Sequence, residues 1–228
     1  MNETVKTKKK SAASKNPTAA AVIYAVAAVL FALPIIEWAG NLAGEVGPNP
    51  AWNFLNLPAR LFALAGFVLM FYQFILGMRL PLFEKVFPRA TNLKRHRTLG
   101  KVAFVLILLH AVMMAAFDYS MAGQFIFDTY RVLGLIAVIC LLVGVIAAWF
   151  FKPLKLPRKV WRALHLLGYV AFPLGFFHAN TLGTEVLTGD WTVSAPFTAF
   201  VIIFAVLVLY RLFAYYRELS AARAKTAG

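Results

Sequence analysis

Four histidines, His96, His110, His165 and His178, are the residues of this 228-residue chain whose type and spacing suggest a shared chemistry. They form two pairs, 14 and 13 residues apart, and each pair lies along a mostly apolar stretch. On an α-helix these separations are roughly 21 and 20 Å. Imidazole is the commonest metal ligand, yet two imidazoles so far apart on one helix cannot share an ion. Each therefore needs a partner from another element. The apolar stretches carry no acid at their middle, which disfavours a non-heme zinc or iron site. It equally disfavours a proton channel built from Asp, Glu and His in series. Cys140 is the only cysteine, so an intrachain disulfide, a CxxC pair and a thiolate zinc site are excluded. It reads as a small core residue.

The elements that must position these histidines follow from composition. Hydrophobic residues make up 61% of the chain and charged ones only 14%, against about a quarter charged in soluble domains. That excludes a disordered chain and argues against an ordinary soluble enzyme. Six stretches approach the roughly 20 residues needed to cross a bilayer: 19–38, 59–78, 99–117, 130–151, 160–178 and 197–215. The expected fold is all-α, a six-helix transmembrane bundle spanning 19–215. A basic, disordered tail at 1–18 and a short tail at 216–228 flank it, and residues 37–56 read as a loop rich in Gly, Pro and Asn. The first span reads as an uncleaved helix rather than a signal peptide.

Charge fixes the expected orientation. Of 23 basic residues, 21 fall in the N-terminal tail, in 79–101, in 152–162 and at the C-terminal end. With six spans, all four segments share one side. The opposite side holds Arg60 and Arg131 with six of the nine acids: Glu37, Glu45, Asp118, Asp128, Glu185 and Asp190. The positive-inside rule then places both termini in the cytoplasm of a multi-pass protein of the cell (inner) membrane. The same asymmetry accounts for the net charge of +14 without nucleic acid as a partner. The interacting surface is membrane lipid.

In this topology the third and fifth spans run the same way. His96 then lies level with His165 near the inner face, and His110 level with His178 toward the outer face. Ionisable groups inside a membrane are costly and mark function. Two facing pairs at two depths suit two axially ligated hemes, one above the other. An electron crossing an insulating layer of ~30 Å needs such a relay. Fourteen residues are close to four helical turns, so His96 and His110 share a face. Thirteen leave His165 and His178 out of phase on an ideal helix. Pro173, between them, is the residue expected to change the winding.

Residues 73–81 (QFILGMRLP), 94–100 (KRHRTLG), 161–165 (WRALH) and 176–178 (FFH), with His110 after an apolar run, resemble the ferric reductase-like transmembrane domain family. Its members include ferric reductases, the membrane domain of NADPH oxidases and the heme-binding subunit of a bacterial methionine sulfoxide reductase system. The likeness covers about 59–215. It implies six helices with b-type hemes between the third and fifth. His96 and His165 would ligate the inner heme iron, and His110 and His178 the outer one. In the methionine sulfoxide reductase subunits the position matching His96 is typically arginine. Histidine there favours the ferric reductase and oxidase pattern with two bis-histidine hemes. Many relatives continue into a cytoplasmic FAD- and NAD(P)H-binding domain, but the sequence shows no Gly-rich nucleotide fingerprint. Electrons are then expected from a separate flavin reductase or from quinol, and the outer acceptor could be ferric iron, oxygen, a quinone or a protein.

The implied activity is that of a membrane oxidoreductase, or of its electron-transfer subunit: a diheme cytochrome b carrying electrons outward from a cytoplasmic donor. A heme-binding subunit of a multi-protein reductase and a non-enzymatic transporter or scaffold are the alternatives. Arg60 and Arg131 are further cofactor-binding candidates, pairing with outer propionates or drawing an anionic acceptor; snorkelling at the interface is the other reading. Arg97 and Arg162 flank the inner histidines and could serve the inner propionates, or simply set topology. Gly100 and Gly168 could let a flat ring approach a helix, or pack helices closely.

Overall fold

The computed structural model describes residues 16–78, 80–187 and 191–227. Most of the basic tail, together with Arg79 and Asp190, lies outside the described residues. The described chain is all-helical, with six helical segments long and apolar enough to cross a membrane. They are α1 (Pro17–Glu45), a π-helical turn (Trp52–Asn56) leading into α2 (Leu57–Gly77), α4 (Arg89–Ala122), α5 (Thr129–Trp149), the pair α6 (Arg158–His165) and α7 (Gly168–Leu182), and α9 (Trp191–Ala227). Two short helices, α3 (Pro81–Val86) and α8 (Thr184–Leu187), sit in the connections. The protein is a multi-pass membrane protein.

Several helices outrun their apolar cores. α1 continues to Glu45, through residues expected to form a loop, and α9 continues to Ala227, through the expected C-terminal tail. α4 has 34 residues, roughly 51 Å of helix against a hydrocarbon layer of ~30 Å. The bilayer limits only the apolar part. Beyond it the helix persists until a residue stops it. For α4 the start follows Pro88, and the end is Gly123 at φ 70, a left-handed cap whose N–H donates to Tyr119 O. His96 therefore stands inside α4, not ahead of it.

α2 is the central helix, buried over most of its length, whereas few residues of the other spans are fully buried. Lipid gives helices no hydrophobic reason to associate, so close packing must hold them. Phe67 and Phe71 of α2 stack on Phe172 of α7 and on Phe197 and Phe200 of α9, with ring centres 4.3–6.4 Å apart. Cys140 packs at the edge of this core. The two most extensive helix contacts are α2 with α4 and α5 with α7. Gly66 lets α2 approach α4: a Cβ there would lie 2.7 Å from Ile107 Cδ1.

The fifth span is not one regular helix. Leu166 and Leu167 separate α6 from α7, and the bonds Leu167 N–H to Leu164 O, Tyr169 N–H to Leu166 O and Val170 N–H to Leu167 O are of the tighter i to i+3 kind. Such turns advance about 120° per residue instead of about 100°, adding rotation between His165 and His178. Pro173 lies within the continuous α7. The tight turn over residues 164–170 thus supplies rotation that the sequence attributes to Pro173.

Candidate metal centre

The structure brings the four histidines together in the expected pairs. His96 of α4 and His165 of α6 have ring centres 6.0 Å apart with planes at 83°. His110 of α4 and His178 of α7 have ring centres 6.1 Å apart with planes at 70°. The first pair lies at the end of the bundle that carries Lys94, Arg95, Arg97, Arg158, Lys159 and Arg162. The second lies at the end that carries Glu45, Asp118, Asp128 and Glu185. Along α4 the two pairs are roughly 21 Å apart.

Three of the four rings have their tautomer set from behind. His96 Nδ1 faces Gln73 O at 3.3 Å, His110 Nδ1 faces Ala59 O at 3.0 Å, and His178 Nδ1 faces Tyr130 O at 2.9 Å. A carbonyl only accepts, so each Nδ1 carries the proton and donates it. Nε2 is left with a free lone pair. This is the arrangement of metal-ligating histidines, whose other nitrogen donates to a backbone carbonyl or carboxylate. His165 differs: its Nδ1 is buried and lacks a hydrogen-bond partner among the described residues. Its ring stacks instead on Trp161, with ring centres 5.8 Å apart and planes within 7°.

The neighbours of these rings come from antiparallel helices in register. Ala59 and Gln73 are 14 residues apart on α2, as His110 and His96 are on α4, so one α2 face holds both rings. The Gln73 side chain also lies against α4, where a Cβ on Gly100 would stand 3.1 Å from its Oε1. Gly100 thus opens toward the Gln73 side chain, while a Cβ on Gly168 would meet nothing within 4 Å. On α5, a Cβ at Gly134 would lie 2.7 Å from His178 Nδ1, and one at Gly144 would lie 3.1 Å from Leu164 O. Sequence reasoning missed Gly134, Gly144 and the three carbonyls that accept from the rings. The one legible signal was the repeated spacing of 14 between residues 59 and 73.

Arg60 is buried, at 7% exposure, and its guanidinium pairs with Glu45 and Glu185. Arg131 binds Asp118 of α4 through Nε at 2.7 Å and a terminal nitrogen at 3.2 Å, and also pairs with Asp128. Asp128 caps α5, accepting from the Tyr130 and Arg131 backbone N–H groups at 2.9 Å. The Arg131 N–H above all, with its guanidinium, holds the Asp128 carboxyl below its ordinary pKa.

A bound group can be tested against this geometry. A metal–imidazole bond is about 2 Å and the ring centre lies about 1 Å further back, so two rings on opposite sides of one ion stand roughly 6 Å apart. Both pairs match. Among the described residues no cluster of three or more His, Cys, Asp or Glu could hold an ion. Each pair could supply two ligands, and a metal there would need its other ligands from a cofactor. Heme, which brings nitrogen ligands of its own and is held by histidine, is a group that such two-histidine sets would suit.

The protein-methionine-sulfoxide reductase heme-binding subunit MsrQ of Pasteurella multocida (strain Pm70) is 31% identical over 115 residues, which is 48% of this chain and 53% of that relative. The chain thus matches about half the length of this curated relative. Residues 62–176 match the family model described as ferric reductase like transmembrane component, a stretch that takes in His96, His110 and His165 and stops two residues before His178. As that match extends over half of the sequence, the chain belongs to the ferric reductase-like transmembrane family.

Proposed function

We propose that this protein carries electrons across the membrane through two b-type hemes, one at each histidine pair. The observation that carries the reading is the pair of facing imidazole sets, 6.0 and 6.1 Å between ring centres, with three Nδ1 atoms tied to carbonyls. Heme, when bound, supplies reversible one-electron exchange. The chain's own residues do the rest. His96 and His165 hold the group near the basic end, and His110 and His178 hold the one near the acidic end. The carbonyls of Gln73, Ala59 and Tyr130 keep Nε2 available and raise its basicity. The phenylalanines of α2, α7 and α9 pack the neighbouring interior. The basic end, with both termini, faces the cytoplasm in this reading.

Heme stoichiometry tests it. A pyridine hemochrome assay on heme-replete protein should give a ratio near two per chain. A reproducible ratio near zero removes the cytochrome reading, and a ratio near one removes one of the pairs.

The donor is a separate cytoplasmic flavin reductase or a quinol, and the isolated chain should not oxidise NAD(P)H. An acidic flavoprotein would be steered to the basic residues of 79–101 and 152–162. Heme reduction should then slow by about tenfold or more as salt rises, since steering of this size is screened within about 10 Å at 0.1 M salt. Steady NADH oxidation by the flavin-free chain would contradict the separate donor. Salt-independent reduction would contradict the docking surface. The identity to a heme-binding reductase subunit favours delivery to a partner protein at the acidic end, ahead of ferric iron, oxygen or a quinone.

A further inference from the structure

At the acidic end, the carbonyl that holds each histidine belongs to the residue just before an arginine. Ala59 accepts from His110 and precedes Arg60; Tyr130 accepts from His178 and precedes Arg131. The ion pairs then cross over. Arg131 binds Asp118, eight residues beyond His110 on α4. Arg60 binds Glu185, seven residues beyond His178 in the α7–α8 segment. The contacts close a ring: His110 to Asp118 along the chain, Asp118 to Arg131, Tyr130 to His178, His178 to Glu185 along the chain, Glu185 to Arg60, Ala59 back to His110.

The ring follows a duplicated layout. Ala59, Arg60 and Gln73 stand 71 residues before Tyr130, Arg131 and Gly144, and His96 and His110 stand 69 and 68 before His165 and His178. The α2–α4 and α5–α7 pairs also make the two most extensive helix contacts. The layout differs at the basic end. Gly144 occupies the place of Gln73, and His165 Nδ1 has no partner among the described residues. Among the described residues, the doubly clamped geometry is found only at the acidic-end pair.

We infer that Arg60 and Arg131 are positioning residues for the acidic-end histidines, each acting through the carbonyl that precedes it. Each guanidinium grips two carboxylates from different segments and so fixes the first turn of α2 or α5. That turn aims Ala59 O or Tyr130 O at an imidazole Nδ1–H. The fork matters, not the charge alone, because only a planar guanidinium can hold two carboxylates in fixed directions at once. Both arginines are engaged by protein carboxylates. The inference rests on the two-heme reading for its consequence, but its geometry can be read without heme.

The test is ¹⁵N-histidine NMR of the full chain in nanodiscs, with the four imidazoles assigned by single His→Ala variants. Arg131→Lys keeps the charge and loses the fork. In heme-free protein it should speed exchange of the His178 Nδ1–H by about tenfold, the loss of roughly one hydrogen bond, with His96 unchanged. Arg60→Lys should do the same to His110. In heme-loaded protein each variant should raise the midpoint potential of the acidic-end heme alone, because a weaker Nδ1–H bond makes the ligand less basic. Asp128→Asn trims one arm at a half-exposed site and should give a smaller effect on His178 if Arg131→Lys does not fold. Unchanged exchange at His178 and His110 overturns the inference, as does equal disturbance of all four rings in every variant, which would make the clamps general stabilisers. Failure of the two-heme reading would show separately, as low heme content in the parent protein, and would leave the NMR comparison intact.

Discussion

Replacing His178 by alanine is expected to leave a chain that binds one heme in place of two and no longer delivers electrons beyond the acidic end. His178 supplies one of two imidazoles at that end, 6.1 Å from His110, and no third His, Cys, Asp or Glu clusters there to substitute among the described residues. The other pair is roughly 20 Å away along the helix, beyond direct coordination. His96 and His165 should therefore keep their heme and still be reduced from the basic side. External delivery should fall by more than about 100-fold, the most that loss of a mere supporting hydrogen bond costs a metal site. His165→Ala should show the converse: the acidic-end heme remains and reduction by the cytoplasmic donor is lost. Heme content, donor-driven reduction and external acceptor reduction in proteoliposomes separate the two. Full heme and full delivery in His178→Ala would show that His178 is not a ligand. Loss of all heme from both variants would show that the two sites do not assemble independently.

The pairing on which this rests was legible because it needs only topology. Charge asymmetry fixes the number of spans, span number fixes which helices run parallel, and parallel helices put His96 level with His165 and His110 level with His178. Hydropathy fails at the ends, since it marks where lipid begins rather than where a helix stops. α4 therefore begins at Arg89, inside a stretch too polar to be read as part of a span. The unequal histidine spacings pointed to a change of winding in the fifth span. Pro173 was the visible cause, whereas the tight turn around Leu166 and Leu167 has no comparable marker beyond Gly168. The supporting shell was largely hidden. Backbone carbonyls carry no side-chain signature, so Ala59 and Tyr130 look ordinary in sequence. Arg60 and Arg131 stood out as cations on an acidic side, but their partners Glu185 and Asp118 lie 125 and 13 residues away and could be paired with them only in three dimensions.

Gly134→Ala is expected to empty the acidic-end position almost as effectively as loss of the ligand. The added Cβ would stand 2.7 Å from His178 Nδ1, 2.9 Å from Cε1 and 3.1 Å from Cγ. These are atoms of a rigid ring, and Tyr130 O holds the same nitrogen at 2.9 Å from the same helix. The imidazole can retreat only by giving up that bond and moving toward His110, into the space a shared metal needs. The helix itself offers no counter-argument, since alanine is favoured over glycine in a helix interior by about 1 kcal/mol. Any loss must come from the ring. Gly66→Ala is the matched control. Its Cβ would come equally close, 2.7 Å from Ile107 Cδ1 and 2.9 Å from Cγ1, but these atoms belong to one aliphatic side chain that a rotamer change can move for a strain of about 1–3 kcal/mol. Gly66→Ala should keep both hemes, and Gly134→Ala should fall to about half the parent's heme, with the remaining potential that of the His96–His165 site. Two hemes at parental potentials in Gly134→Ala would mean that His178 does not ligate from the position it holds against α5.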